Sequence, residues 1–252
     1  GRLKKEIIFS TYICHPCMAN NETAAPAILA IISKWLSMKK RKYSYRIIFS
    51  SETIGTIAYL KKFENNLKKN TLAGYVITCF GDEGKFSYIQ SKYPKYSLSD
   101  KMVFKIFKNL KTKNKIYNWL YRGSDERQYN SAGINLNFGT LMRTKFLSYK
   151  EYHTSQDNLN ITVNEKSILK SYKFIQKLIE NFEKEIFPWS LIKCEPFLTK
   201  NKLYRTNSHK KNSKYTKNLL DVMSFCDGNN AVDDISSHTN ISIKQVRKVL
   251  NK

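Results

Sequence analysis

The sequence predicts an α/β fold, a mainly parallel or mixed sheet flanked by helices, followed by a small C-terminal helical module of the winged-helix type. Three observations predict it. Apolar strand-like runs alternate with helical periodicity through residues 1–190. Polar and ionisable residues gather just past the ends of those runs, at the edge where open parallel sheets bind ligands. After Phe187-Pro188-Trp189 the pattern changes to a polar, lysine-rich stretch and then to three short helical runs.

Taken in order, residues 5–13 read as a buried strand and 23–39 as a helix with Ile28, Ile31, Ile32 and Trp35 at helical spacing. Residues 43–50 make a second strand, rich in Tyr, Ile and Phe, and 56–69 a second helix. Residues 73–79 form a third strand that ends at Phe80-Gly81-Asp82. A short extra strand at 86–90, a helix at 98–110 and strands at 117–121 and 134–141 follow. Residues 165–184 form a long amphipathic helix on which Ile168, Tyr172, Ile175, Leu178 and Phe182 recur. Strand-helix-strand-helix-strand order argues for a sheet covered on both faces. Residues 191–212 read as a linker or extended arm, and 213–252 as a separate module. In that module 215–225, 232–237 and 242–250 are helical, with Ser242 as the last N-cap and turns at Asp227-Gly228 and His238-Thr239-Asn240. Three short helices with such turns fit a helix-turn-helix or winged-helix core.

Composition sets limits. A hydrophobic fraction of 41%, with 14 Phe and 16 Tyr, excludes wholesale disorder. The longest apolar run covers residues 26–32, far short of the roughly 20 residues that span a bilayer. Gly1-Arg2-Leu3-Lys4-Lys5 leads straight into Ile7-Ile8-Phe9 without a signal-peptide pattern, so the cytoplasm is the expected compartment. A strand that starts so soon after a residue other than Met carries the further expectation that an upstream portion is missing. The five cysteines, an odd number, read as reduced thiols. Cys14 and Cys17 lack the second Cys/His pair that a zinc knuckle needs. The net charge of +24 has two readings. One is an anionic partner such as nucleic acid; the other is biased composition, because only residues 108–115 and 200–217 are dense in lysine.

Four strand-end segments carry chemistry: residues 15–22, 51–55, 81–83 and 151–157. A fifth is the polar loop at 122–129. The only histidines of residues 1–190 are His15 and His153, and both lie in such segments with carboxylates nearby. That makes them candidate metal ligands. Residues 15–185 carry no Gly-x-Ser-x-Gly elbow and no phosphate-binding glycine-rich loop.

The stretches Thr11-Tyr12-Ile13-Cys14-His15-Pro16, Met18-Ala19-Asn20-Asn21-Glu22, Glu52-Thr53-Ile54-Gly55, Arg122-Gly123-Ser124-Asp125-Glu126-Arg127-Gln128-Tyr129 and Glu151-Tyr152-His153-Thr154-Ser155 occur in an order that resembles the M28-type zinc aminopeptidases. More closely, they resemble bacterial aminopeptidase-like proteins associated with polysaccharide biosynthesis, which end in a winged-helix tail. The likeness covers residues 5–190 and implies a zinc-peptidase-like domain. It implies His15 and His153 as zinc ligands and Glu52 as the general base. The position of the zinc-bridging aspartate falls on Asn21, and that of a ligating glutamate on Thr53. A neutral amide does not offset two dications as a carboxylate does, so one zinc is expected rather than two, with no metal at all as the open alternative. Asp82, Asp125 or Glu22 is the candidate carboxylate ligand. Glu22, Arg122, Glu126, Arg127 and Tyr152 are the candidate substrate-binding residues, the arginines offering a fork for a carboxylate or phosphate.

The expected function is a zinc-dependent aminopeptidase-like hydrolase of an amide bond, in a peptide or amino-sugar conjugate of surface polysaccharide biosynthesis. A homo-oligomer is compatible with this, and no membrane partner is expected. Two alternatives stay open: a catalytically degenerate peptidase fold that binds, and a nucleic-acid-binding protein acting through its basic C-terminal module.

Overall fold

A computed structural model describes residues 1–110, 113–198, 200 and 214–251. Residues 201–212 of the expected linker lie outside the described residues. The chain divides into two compact units, Gly1–Glu183 and Lys184–Lys252.

The first unit is built on six strands: β1 Glu6–Tyr12, β2 Ser44–Ser50, β3 Thr71–Ile77, β4 Ser87–Ile89, β5 Lys115–Tyr117 and β6 Phe138–Met142. Their spatial order is β2-β1-β3-β6-β4-β5. β1 runs parallel to β2 and β3, and β3 parallel to β6. β4 then reverses against β6, and β5 follows β4 in parallel, so the sheet is mixed. The helices are α1 Ala24–Ser37, α2 Ile54–Asn70, α3 Leu98–Asn109, α4 Glu126–Tyr129 and α5 Glu165–Lys184. Ile7, Ile8 and Phe9 are all fully buried, as expected of a strand covered on both faces. One core layer joins Ile8, Ile48, Leu60, Leu67, Val76 and Phe138. On another, Phe9 stacks on Tyr75, whose ring meets Phe182 of α5 edge-on. Gly74 lets β3 and β6 sit close, since a Cβ there would fall 2.1 Å from the Phe138 ring.

Two strands differ from expectation for local reasons. The strand expected at 117–121 lies at Lys115–Tyr117, and Trp119–Tyr121 is a 3-10 turn. The Asn118 side chain caps that turn by accepting from the Leu120 N–H at 2.9 Å, which ends the extended run. The strand expected at 134–141 begins at Phe138, because Asn135 and Asn137 take left-handed backbone at φ 50° and 55°.

In the second unit, α6 Lys214–Ser224, α7 Val232–Thr239 and α8 Ile243–Leu250 enclose a small core. Val222, Ile235 and Val246 are fully buried there. The Asp234 carboxylate accepts from the Ala231 N–H at 2.9 Å and caps α7. Asn240, at φ 55°, provides the left-handed residue that stops α7 and turns the chain into α8. Ser242 occupies the N-cap position of α8, although its hydroxyl makes no capping bond. Among the described residues no helix is long and apolar enough to cross a membrane.

Candidate metal centre and active site

Parallel neighbours deliver their C-terminal ends to the same edge, so the chain leaving β1 arrives beside the chain leaving β2. Ile13 extends the pairing by donating to the Ser50 carbonyl at 3.0 Å. The Glu52 N–H then points at Cys14 Sγ, 3.4 Å away, and ties the two strand ends together. Four residues around this edge take left-handed backbone without being glycine: Cys17 (φ 61°), Thr53 (φ 61°), Cys79 (φ 46°) and His153 (φ 56°).

Beyond Cys17 the chain enters a single π-helical turn, Ala19–Thr23, that runs directly into α1. This turn faces Asn20, Asn21 and Glu22 inward, and all three are buried. Glu22 Oε1 lies 2.7 Å from His15 Nδ1, and Oε2 accepts the Cys14 N–H at 2.9 Å. The ring of His153 lies 5.0 Å from that of His15 between centroids, tilted by 36°, and stacks on Tyr152 at 4.0 Å. Burial, then the nearby His15, lower the pKa of His153 and favour the neutral imidazole that metals bind. Cys14 Sγ stands 3.2 Å from His15 Nδ1, and the donor atoms of Cys14, His15 and Glu22 lie within 4.8 Å of one another. A thiol, an imidazole and a carboxylate with a second imidazole alongside fit one zinc ion. The sequence offers Glu22 both as a carboxylate ligand and as a substrate-binding residue, and does not bring Cys14 to the metal.

The other expected ligands are engaged elsewhere. The Asn21 amide oxygen accepts from Tyr12 Oη at 3.2 Å and Cys79 Sγ at 3.4 Å. Asp82 accepts from Asn20 Nδ2 (2.9 Å), the Gly84 N–H (2.6 Å) and Thr144 Oγ1 (2.8 Å). Thr53 Oγ1 accepts from Arg127 Nη2 at 3.0 Å. Asp125 is fully buried and accepts the Thr53 N–H at 2.7 Å, which orients the turn carrying Glu52. Glu126 is also fully buried; it accepts from Gly123 N, Ser124 N and Thr140 Oγ1, so it shapes its loop from within. Arg122 stacks on Trp119 at 5.0 Å and is exposed.

Glu52 is half-buried, and burial raises its pKa, while Ser124, Arg127 and His15 draw it partly back. Burial keeps the Tyr152 phenol protonated, with its pKa raised further by Cys79 and Glu52. Asp157, to which the sequence attached no role, anchors the whole site. It is fully buried and accepts from Asn20 N (2.7 Å), Asn21 N (3.1 Å), Tyr149 Oη (3.1 Å) and Thr162 Oγ1 (2.7 Å).

Asp125 gives a pH signature. Burial first, then Glu52 and Glu126, push its carboxyl up to about 6 from the usual 3.8. A raised folded pKa means that the favourable contribution is complete below the unfolded pKa and is lost as pH rises through about 6. The shift of roughly two units corresponds to about 3 kcal/mol. Asp125→Asn is therefore expected to gain on wild type by up to that amount between about pH 4.5 and 7, in urea unfolding of the metal-free protein. A constant difference between the two proteins across that window would contradict it.

The comparisons follow the geometry. Residues 1–185 match the profile of DUF4910, a domain of unknown function, and residues 188–252 that of a winged helix-turn-helix. Over 249 residues the chain is 36% identical to a Clostridium acetobutylicum protein provisionally named a polysaccharide biosynthesis protein with aminopeptidase-like domain, covering 98% of this chain and 56% of that one. A crystal structure from the same organism, provisionally described as a peptidase, superposes with a TM-score of 0.73 at 34% identity over 100% of this chain and 56% of that one. The chain thus spans about half the length of the curated relative it matches. A zinc aminopeptidase from Bacillus subtilis shares the fold at a TM-score of 0.58 and 12% identity, over 71% of this chain and 47% of that one. A Bacteroides thetaiotaomicron glutaminyl cyclase bound to N-acetylhistamine does so at 0.56 and 13%, over 71% and 73%.

Proposed function

The chain belongs to the DUF4910 family, and on that premise we propose that its aminopeptidase-like unit is a zinc-dependent hydrolase of an amide bond. The substrate class is a peptide or amino-sugar conjugate in surface polysaccharide biosynthesis. The observation that carries the reading is the convergence of His15, Glu22 and His153 with a half-buried, pKa-raised Glu52 at one sheet edge.

One ion would be held by His15, Glu22 and His153, with Cys14 within reach. A second ion would meet neutral, already hydrogen-bonded groups at Asn21 and Thr53, two of its expected ligand positions. Bound zinc supplies Lewis acidity, lowering the pKa of a coordinated water and polarising a carbonyl. The chain does the rest. Glu52 takes a proton at its carboxylate and returns it to the leaving nitrogen, and its raised pKa brings it nearer the working pH that this exchange requires. The protonated Tyr152 phenol donates to the carbonyl oxygen as charge develops there. Arg127, exposed beside Glu52, orients an anionic group of the substrate.

Elemental analysis of the purified protein tests this. About one equivalent of zinc is expected, falling below about a tenth in His15→Ala, together with release of amine from N-acyl amino sugars or short peptides. A protein that takes up no zinc or cobalt on titration would sink the reading.

A further inference from the structure

The reversal at β4 has a second outcome at the same sheet edge. Ser87 at the start of β4 pairs with Met142 at the end of β6 and with Lys115 at the start of β5. Three chain segments therefore meet there: residues 84–87, residue 115, and residues 143–148. They are held tightly. Ser87 Oγ donates to the Arg143 carbonyl at 2.6 Å, the Lys115 N–H to the Phe86 carbonyl at 3.1 Å, and Thr144 Oγ1 to Asp82 at 2.8 Å.

Between these segments lies a cavity of about 270 Å³ lined by Lys85, Lys115, Arg143 and Lys145, with Tyr117 and Ser148. Four cations surround it, and no carboxylate is among its lining residues. Arg143 is the unusual member. It is only 5% exposed, yet its Nε and Nη1 have no hydrogen-bond partner among the described residues. Its guanidinium lies over the Phe86 ring at 4.7 Å, which fixes its plane without neutralising it. A buried guanidinium normally has an anion, because an uncompensated buried charge is costly. Asp82 and Glu83 act on it only at a distance, and the Asp82 oxygens are taken by backbone and hydroxyl donors. The same Arg143 and Lys85 also line an adjoining cleft of about 400 Å³ with Phe86, Phe174, Ile106 and Leu110 for walls.

We propose that the Lys85–Lys115–Arg143–Lys145 cavity is a binding site for the phosphoryl group of a small phosphorylated molecule. The apolar neighbouring cleft takes the organic part. Phosphate fits better than a carboxylate. It brings up to two charges and several acceptor oxygens to a ring of four cations, and the planar Arg143 fork suits it. The enclosure and the buried arginine favour a small molecule over a nucleic-acid backbone, which exposed lysines alone would serve. The site needs neither zinc nor Glu52, so it stands or falls apart from the hydrolase reading.

Calorimetric titration of the full chain with glucose 1-phosphate and with orthophosphate, at ionic strength held constant with chloride, tests it. Saturable binding at one equivalent is expected for both, tighter for the ester. Arg143→Met preserves the packing over Phe86 and is expected to weaken binding at least 10-fold; Lys115→Ala, at an exposed position, about 3- to 10-fold. Zinc content should stay unchanged in both variants. Lack of saturation by either probe, equal binding by Arg143→Met and wild type, or displacement of the probes only by duplex DNA would overturn the proposal.

Discussion

Glu52→Gln is expected to lower kcat by about 10²–10⁴-fold while leaving zinc content and the circular dichroism spectrum unchanged. Glutamine keeps the shape of the side chain and leaves the backbone contact from Glu52 N to Cys14 Sγ in place. What it loses is the ability to accept a proton. Because Glu52 lies outside the Cys14–His15–Glu22 donor group, metal affinity provides the control. A matching signature is the acidic limb of the pH profile. Burial raises the Glu52 pKa, so the limb of kcat/KM should lie above the ordinary carboxylate range and vanish in the variant. Activity within about twofold of wild type would remove Glu52 from the mechanism.

Asp157→Ala is expected to cost more in stability than any other single change at the site. Four donors converge on this buried carboxylate: two backbone N–H groups that start the π-helical turn and two hydroxyls. Removing it strands the two backbone N–H groups, at about 1–3 kcal/mol for each, while Thr162 Oγ1 keeps the Asn158 carbonyl as an acceptor. It also removes the negative charge that faces the beginning of α1. A total loss of about 4 kcal/mol is expected in denaturant unfolding. Zinc affinity should fall with it, because the same turn presents Glu22 to His15. Asp157→Asn retains one acceptor and should recover part of both. A melting temperature within about 2 °C of wild type in the alanine variant would show that the turn holds without it.

The sheet was largely legible because β1, β2 and β3 are long, apolar and spaced by amphipathic helices, which makes the period unambiguous. β4 was visible as a short run, yet its reversed direction was not. Three residues carry no directional signal, and the choice is made by pairing with β6. At the site, the placement of the His pair and Glu52 at one sheet edge was readable because all three follow the C-terminal ends of strands or lie in strand-end segments. The hydrogen-bond partners of the carboxylates were not readable. Asp82 and Asp125 look like ligands in one dimension, but their partners lie 62 and 72 residues away. Those partners are backbone or hydroxyl donors with no sequence signature. The contact between Glu22 and His15 was hidden for a related reason: a π-helical turn rotates Glu22 toward His15, and neither strand nor helix periodicity anticipates that rotation.

The left-handed residues at the sheet edge have a consequence for how this protein can vary. Thr53 and His153 carry a Cβ in a region that L-residues avoid. Each such position raises the energy of the native state by about 1–3 kcal/mol. Glycine would relieve that strain at either one, and would erase the Thr53 contact to Arg127 or the imidazole beside His15. Resistance to heat and reactivity thus pull in opposite directions at these positions. If the proposed hydrolysis holds, screening variants for thermal tolerance alone would drift toward an inert protein, and a heat-tolerant variant that keeps the site would have to gain its margin in the core layers.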